Sequence, residues 1–185
     1  MPNPSDPHTP PTLDPETLEF LQGVFELVRA GDADRLGPLL DQGLPPNLRN
    51  QKGDSLLMLA SYHGHREVAR QLLEHGADPE LHNDQGQTPL QGAVFKGDVP
   101  MVELLLAQGA AVNGAGPDGK TALMLAAMFN RTNLIDLLLE RGADLHARDL
   151  RGLSALDVAR MMGAPETAAQ LEERLGQAQS EQARS

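Results

Sequence analysis

Four histidines fall between residues 63 and 82, His63, His65, His75 and His82, and they are the side chains best suited to chemistry in this chain. Imidazole serves as an acid, a base or a metal ligand near neutral pH. The close spacing of His63 and His65 therefore raises one reading, a small hydrolase or metal-handling protein built on that region. Zinc ligands must converge on one point, often with carboxylates. His75 instead sits beside Gly76 at a predicted helix end, where a cation favours the terminal carbonyls. The chain has no cysteine, which excludes thiolate zinc sites, iron–sulfur clusters and disulfides. Its 26 acidic residues are spread along the chain with no recurring His or Lys partner, as a solvating surface would be. Gly114-Ala115-Gly116 is the nearest thing to a phosphate loop, but Pro117 follows it and no lysine completes it. Gly152-Leu153-Ser154-Ala155-Leu156 lacks the closing glycine of a nucleophile elbow. The expectation is a chain without catalytic residues, metal or cofactor.

Composition narrows the partners. The 26 acids against 15 bases give a formal net charge of −11, which argues against nucleic acid and against anionic membrane surfaces. No stretch is long and apolar enough to span a bilayer, and Met1–Pro15 lacks a basic region followed by an apolar run, so a cytoplasmic protein is expected. Hydrophobic residues make up 40% of the chain and aromatics only 3%, so a packed core must be built from Leu, Ala, Val and Met.

The elements that would position any site follow from an internal period. Gly53, Gly86, Gly119 and Gly152 are each 33 residues apart. The same spacing relates Leu57, Leu90, Leu123 and Leu156, then Ala60, Ala93, Ala126 and Ala159, and then Leu72, Leu105, Leu138 and Leu171. Several independent positions agreeing on one number identify a repeat array. Within each unit the glycine marks a turn that needs positive φ, and a hydroxyl two residues later (Ser55, Thr88, Thr121 or Ser154) can cap a helix. That short helix buries Leu and Ala and ends at Gly64, Gly97, Asn130 or Gly163; Asn is the non-glycine residue that best tolerates a left-handed turn. A second helix carries paired leucines and ends at Gly76, Gly109 or Gly142.

Such a unit resembles the ankyrin repeat, with the pattern Gly-x-Thr-Pro-Leu-His-x-Ala, then Gly-His, then Leu-Leu-x-x-Gly-Ala. The copies most similar to it are GQTPLQGAVFKG at 86–97, GHREVARQLLEHGADPE at 64–80 and GKTALMLAAMF at 119–129. The histidine after Pro-Leu is replaced by Met58, Gln91, Met124 and Asp157, so its usual hydrogen bonds must be made otherwise or omitted. The resemblance implies an all-α solenoid of five stacked helix–turn–helix units with β-turn or hairpin tips, similar to small stand-alone bacterial ankyrin proteins. The units expected are 16–49, 50–82, 83–115, 116–148 and 149–175, between a Pro-rich unstructured tail at 1–15 and a second one at 176–185. In the first unit Asp14-Pro15 reads as the start of a longer helix reaching about Ala30, with Phe20 and Phe25 packed under it. In the last unit Glu172 replaces the leucine that would face a further repeat, as a terminal cap requires.

Two columns at the period stand apart: Tyr62, Phe95, Met128 and Met161, beside His63, Lys96, Phe129 and Met162. The resemblance implies that these positions and the turn tips, among them Lys52, Gln85, Lys120 and Arg151, line a concave face. Large semi-exposed aromatics and Met favour interaction surfaces, although they could equally pack along the stack. The function implied is a monomeric, non-enzymatic adaptor, scaffold or inhibitor that grips an unidentified partner protein. Residues 1–49 carry eight acids and three bases, whereas 116–148 carry four of each. That division predicts an acidic N-terminal end, a neutral apolar C-terminal groove, and a partner with a basic patch and an apolar knob.

Overall fold

The computed structural model describes residues 13–184. The Pro-rich reading of residues 1–12 lies outside them. Ten helices follow in chain order: α1 (Pro15–Ala30), α2 (Ala33–Asp41), α3 (Leu56–His63), α4 (Arg66–Glu74), α5 (Pro89–Lys96), α6 (Val99–Ala107), α7 (Ala122–Met128), α8 (Thr132–Glu140), α9 (Ala155–Met161) and α10 (Pro165–Gln182). They form five consecutive pairs. The first helix of each pair packs on the next in sequence order, α1 on α3, α3 on α5, α5 on α7 and α7 on α9. This is an all-α solenoid.

Local chemistry sets the helix ends. Ser55, Thr88, Thr121 and Ser154 accept the backbone N–H of Met58, Gln91, Met124 and Asp157 at 3.0, 3.3, 3.4 and 3.2 Å. The first helices of the three units from Ser55 to Asn130, and that of the last, stop at left-handed residues: Gly64, Gly97 and Gly163 at φ 75°, 72° and 66°, and Asn130 at 55°. Two of the four replacements for the family histidine restore hydrogen bonds. Gln91 returns its side chain to the Thr88 N–H at 3.1 Å and reaches the Lys120 carbonyl of the next unit at 2.9 Å. Asp157 accepts the Ser154 N–H at 2.9 Å. Met58 and Met124 are buried and fill space instead.

The interior is aliphatic and one side chain thick. Ala60, Ala93, Ala126 and Ala159 are fully buried, as are Leu72, Leu105, Leu138 and Leu171. Burying one such leucine contributes about 1.5–3 kcal/mol. Leu57, Leu90 and Leu123 lie at 2% exposure or less, but Leu156, which has no following unit to cover it, is only half-buried.

Polar contacts recur along the stack. Asn47, Glu80 and Asn113 each accept a backbone N–H of the next unit, from Asp78, Ala111 and Asp144, all at 2.8 Å. Successive tips join where the Asp84 N–H meets the Lys52 carbonyl at 3.1 Å and the Leu150 N–H meets that of Asp118 at 3.0 Å. Pro117 holds the same register between them and has no N–H to give. The ladder of tips is therefore interrupted there.

Two expectations need correction. Phe25 reaches the core at 9% exposure, but Phe20 stands 49% exposed. Residues five apart point about 140° away from each other on a helix, so both cannot face the same neighbour. Residues 176–182, read as an unstructured end, continue α10 to Gln182. Gly176 costs a helix interior about 1 kcal/mol. Against this, Arg174 anchors the helix to Asp136 of α8 at 2.5 Å, and Gln177 bonds Glu173 one turn back at 3.2 Å. Glu172 is exposed on this last unit and pairs with Arg160 of α9 at 2.6 Å.

The tip glycines yield a comparison. Gly119 and Gly152 share a left-handed conformation, φ 77° and 78°. A Cβ on Gly119 would lie 2.9 Å from the Leu150 nitrogen, whereas Gly152 faces open space. We expect Gly152→Ala to cost about 1–2 kcal/mol for its conformation alone and Gly119→Ala clearly more, measured by urea unfolding. Equal losses would show that the approach of the next tip imposes no constraint.

Candidate functional site

The two predicted columns lie where the first helices end, and the structure joins them diagonally. The Tyr62 and Phe95 rings stack with centroids 6.2 Å apart and planes 12° apart. Phe95 then meets Phe129, from the other column, edge to face at 4.9 Å. Phe129 is the C-cap of α7, one residue before the left-handed Asn130. The result is one continuous ladder, Tyr62–Phe95–Phe129. Tyr62 and Phe95 keep 40% and 41% of their surface exposed. Lys96 extends back along the ladder, with its ammonium 4.8 Å from the Tyr62 ring centroid.

At Phe95 the ladder is held from behind. The Arg131 guanidinium donates to the Phe95 carbonyl at 3.2 Å. His65, two units earlier in the same register, places Nε2 2.8 Å from the Arg29 carbonyl. Both side chains occupy the position after the helix-ending residue and reach back 36 residues.

Across from the ladder stand the tips. Asn50, Asn83 and Asp149 each fold a tip by accepting two N–H groups on one oxygen, at 2.9–3.1 Å. Gly116 takes this register in the remaining tip, so the wrap is missing there as well. The Asp149 carboxyl is held below the usual carboxylate range, first by the Leu153 N–H and then by that of Arg151. Between helices and tips runs an open groove of about 730 Å³ whose walls include Lys52, Gln85, Tyr62, His63 and Phe95. Gly92, in the register of Leu59, Leu125 and Val158, lies in its floor, where the Met58 sulfur takes the space beside it, 3.2 Å from where a Cβ would be.

The remaining predicted residues are placed differently. Met128 is half-buried, while Met161 and Met162 stand 62% and 56% exposed on the last unit, outside the ladder. Lys120 is half-buried and paired with Asp118, and Arg151 is exposed with Nε 3.4 Å from Asp149. Sequence reasoning missed Leu150, 78% exposed at the last tip. It also missed the Asn50, Asn83, Asp149 set and the glycine at 92 in the groove floor, although all of them were visible in the period.

A sequence model described as "Ankyrin repeats (3 copies)" matches residues 24–116 and 93–179. The chain belongs to the ankyrin repeat family. It is also similar to PA3287 of Pseudomonas aeruginosa (strain PAO1), a protein named as an ankyrin repeat protein, at 65% identity over 60 residues. That match covers 32% of this chain and 35% of the relative, so it spans about a third of the relative's length. Ankyrin repeats are in general protein–protein interaction modules.

Within this ankyrin stack the histidines have separate roles. His65 is engaged with the Arg29 carbonyl, and its ring stacks on His63 at 6.0 Å. No three His, Cys, Asp or Glu groups gather as a metal site among the described residues. No helix among them is long and apolar enough to cross a membrane. His63 is held below the usual imidazole range, first by partial burial and then by the charges of His65, Arg29 and Lys96. His75 is pushed up, by the Gln71 carbonyl at 2.7 Å and then by Asp41 at 3.0 Å.

A raised native pKa favours folding below the unfolded midpoint of about 6.5 and loses that contribution as pH rises through the native one. Histidine NMR should therefore place His75 above 6.5 and His63 below it. Asp41→Asn should lower the His75 midpoint and destabilise the chain more at pH 5.5 than at pH 8.5. Equal losses at the two pH values would remove the His75–Asp41 linkage.

Proposed function

We propose that this ankyrin protein is a non-enzymatic, monomeric binding module, an adaptor or an inhibitor, whose concave face grips a partner protein. The observation that carries the reading is the Tyr62–Phe95–Phe129 ladder. The chain has five aromatic residues, and three of them line up here, half out of a scaffold whose interior is aliphatic apart from Phe25. Phe25 is the only aromatic side chain in the core among the described residues. Rigid aromatic faces lose little entropy on binding and dominate interface energetics. A groove floor at Gly92 and tips folded on their own side-chain caps leave such a surface pre-formed, which lowers the ordering cost of association. Lys52, His63, Gln85, Lys96, Lys120, Arg151, Met128, Met161 and Met162 extend the surface around the ladder. The protein acts with its partner in the cytoplasm.

Affinity capture from the native host tests the reading, with the wild type beside a Phe95→Glu/Phe129→Glu variant. The variant should keep the circular dichroism of the parent and lose the partner, with affinity falling at least a hundredfold. Two hot-spot truncations at about 2 kcal/mol each would reach nearly a thousandfold, so a hundredfold is the floor. Equal recovery by the two proteins would overturn the concave-face assignment.

A further inference from the structure

Residues 114–117 lead from α6 into the fourth tip, and each of them lacks something that a counterpart in another unit supplies. Gly114 takes the register of Leu48, Leu81 and Ala147. Of these, Leu48 and Ala147 pack against the core and Leu81 is half-buried. Ala115 takes the register of Arg49, His82 and Arg148, and the two arginines donate to the carbonyls of the tip glycines Gly53 and Gly152 at 2.9 and 2.7 Å. Gly116 replaces the Asn or Asp whose side chain wraps the tip. Pro117 replaces the residue whose N–H joins one tip to the tip before it, so its ring touches Gly86 without a bond.

Packing loosens at the same boundary. α5 and α7 come less close together than α3 and α5 or α7 and α9, and α6 and α8 less close than any other consecutive pair of second helices. Three side chains still bridge the gap. Gln91 donates to the Lys120 carbonyl at 2.9 Å, Arg131 donates to that of Phe95 at 3.2 Å, and Asn113 accepts the Asp144 N–H at 2.8 Å. The following boundary is tied at both tips and second helices. There the Leu150 N–H meets the Asp118 carbonyl, Thr167 and Gln170 donate to the carbonyls of Ala127 and Thr132 at 2.9 and 3.1 Å, and Arg174 holds Asp136.

We propose that residues 114–117 are a hinge at which the array bends as two bodies, 13–113 and 118–184. Each unit of a solenoid touches only its neighbours, so bending concentrates at the weakest interface. Hinges are a few loop residues that absorb a backbone change, and Gly114 and Gly116 supply that freedom. Gln91, Arg131 and Asn113 remain as the pivot. The first body carries the Tyr62–Phe95 stack and its groove, and the second carries Phe129, Met161 and Met162. The edge-to-face contact of Phe95 with Phe129 spans the hinge, so the bend sets how widely the concave face opens. The bend belongs to the free chain and stands whether or not the concave face binds a partner.

The chain has no cysteine, so introduced pairs can be spin-labelled without background. Gln51 and Leu150 are exposed, share one tip register and stand three units apart. Three helix-packing steps of about 8–10 Å place them within range of double electron–electron resonance. Labels on Gln51→Cys/Leu150→Cys should give a broad distance distribution. Adding Ala115→Arg/Pro117→Asp, which restores the arginine and the N–H, should narrow it at least twofold. Gln42 and Gln108 are exposed and both lie in the first body. Labels on Gln42→Cys/Gln108→Cys should give a narrow distribution that the repair leaves unchanged. Hydrogen exchange of the unsubstituted chain should be at least tenfold faster across 115–120 than across 82–87. A Gln51/Leu150 distribution already narrow in the parent, a breadth that the repair does not alter, or an equally broad Gln42/Gln108 distribution would each overturn the hinge. Equal exchange at the two tips would do the same.

Discussion

No single unit of this chain can bury its own leucines. A pair of short helices presents Leu and Ala to both sides, and only an adjacent pair in register removes them from water. Stacking is thus the condition for folding, and everything else serves the closeness of the stack. The tip glycines state the constraint most sharply. A Cβ on Gly53 would come within 2.8 Å of the Asp84 backbone nitrogen, and one on Gly86 would overlap the Pro117 ring. Gly152 has the same left-handed backbone but nothing above it, because the stack ends there.

That closeness also shapes the concave face. Successive first helices are near enough for aromatic residues at their ends to touch, so Tyr62, Phe95 and Phe129 become one surface instead of three isolated side chains. Arg131 holds the Phe95 carbonyl from behind, and His65 makes the equivalent bond to the Arg29 carbonyl at the end of α1. The interruption at Gly116-Pro117, where both the side-chain wrap and the link from tip to tip are missing, falls in the middle of the array. The groove of Lys52, Tyr62, His63 and Phe95 lies on the N-terminal side of this break, and the exposed Met161, Met162 and Leu150 lie on the other.

The periodic positions were legible because each answers to a purely local rule. Asn130 could be placed in the left-handed region from its register with Gly64 and Gly97, and Ser154 could be assigned as a cap from its register with Thr88. Phe20 was misplaced because apolar character was read without the helical angle between it and Phe25. Residues 176–182 were misread because a polar composition with one glycine describes an exposed helix as well as a tail. The anchor that decides between them, Arg174 on Asp136, is 38 residues away in sequence.

The sequence by itself determined the repeat length, the order of the stack, the aliphatic interior and the two columns at the helix ends, since these follow from spacing and backbone preference within one unit. Only the tertiary structure decided that the columns merge diagonally into a ladder. It also decided that the Lys96 ammonium rests on the Tyr62 ring while Lys120 pairs with Asp118, and that Asp14 and Asp32 of the first unit cap helices. Such facts depend on distances between side chains from different units. A periodic sequence says which unit follows which, but not which charges and rings the stacking brings within a few ångströms of each other.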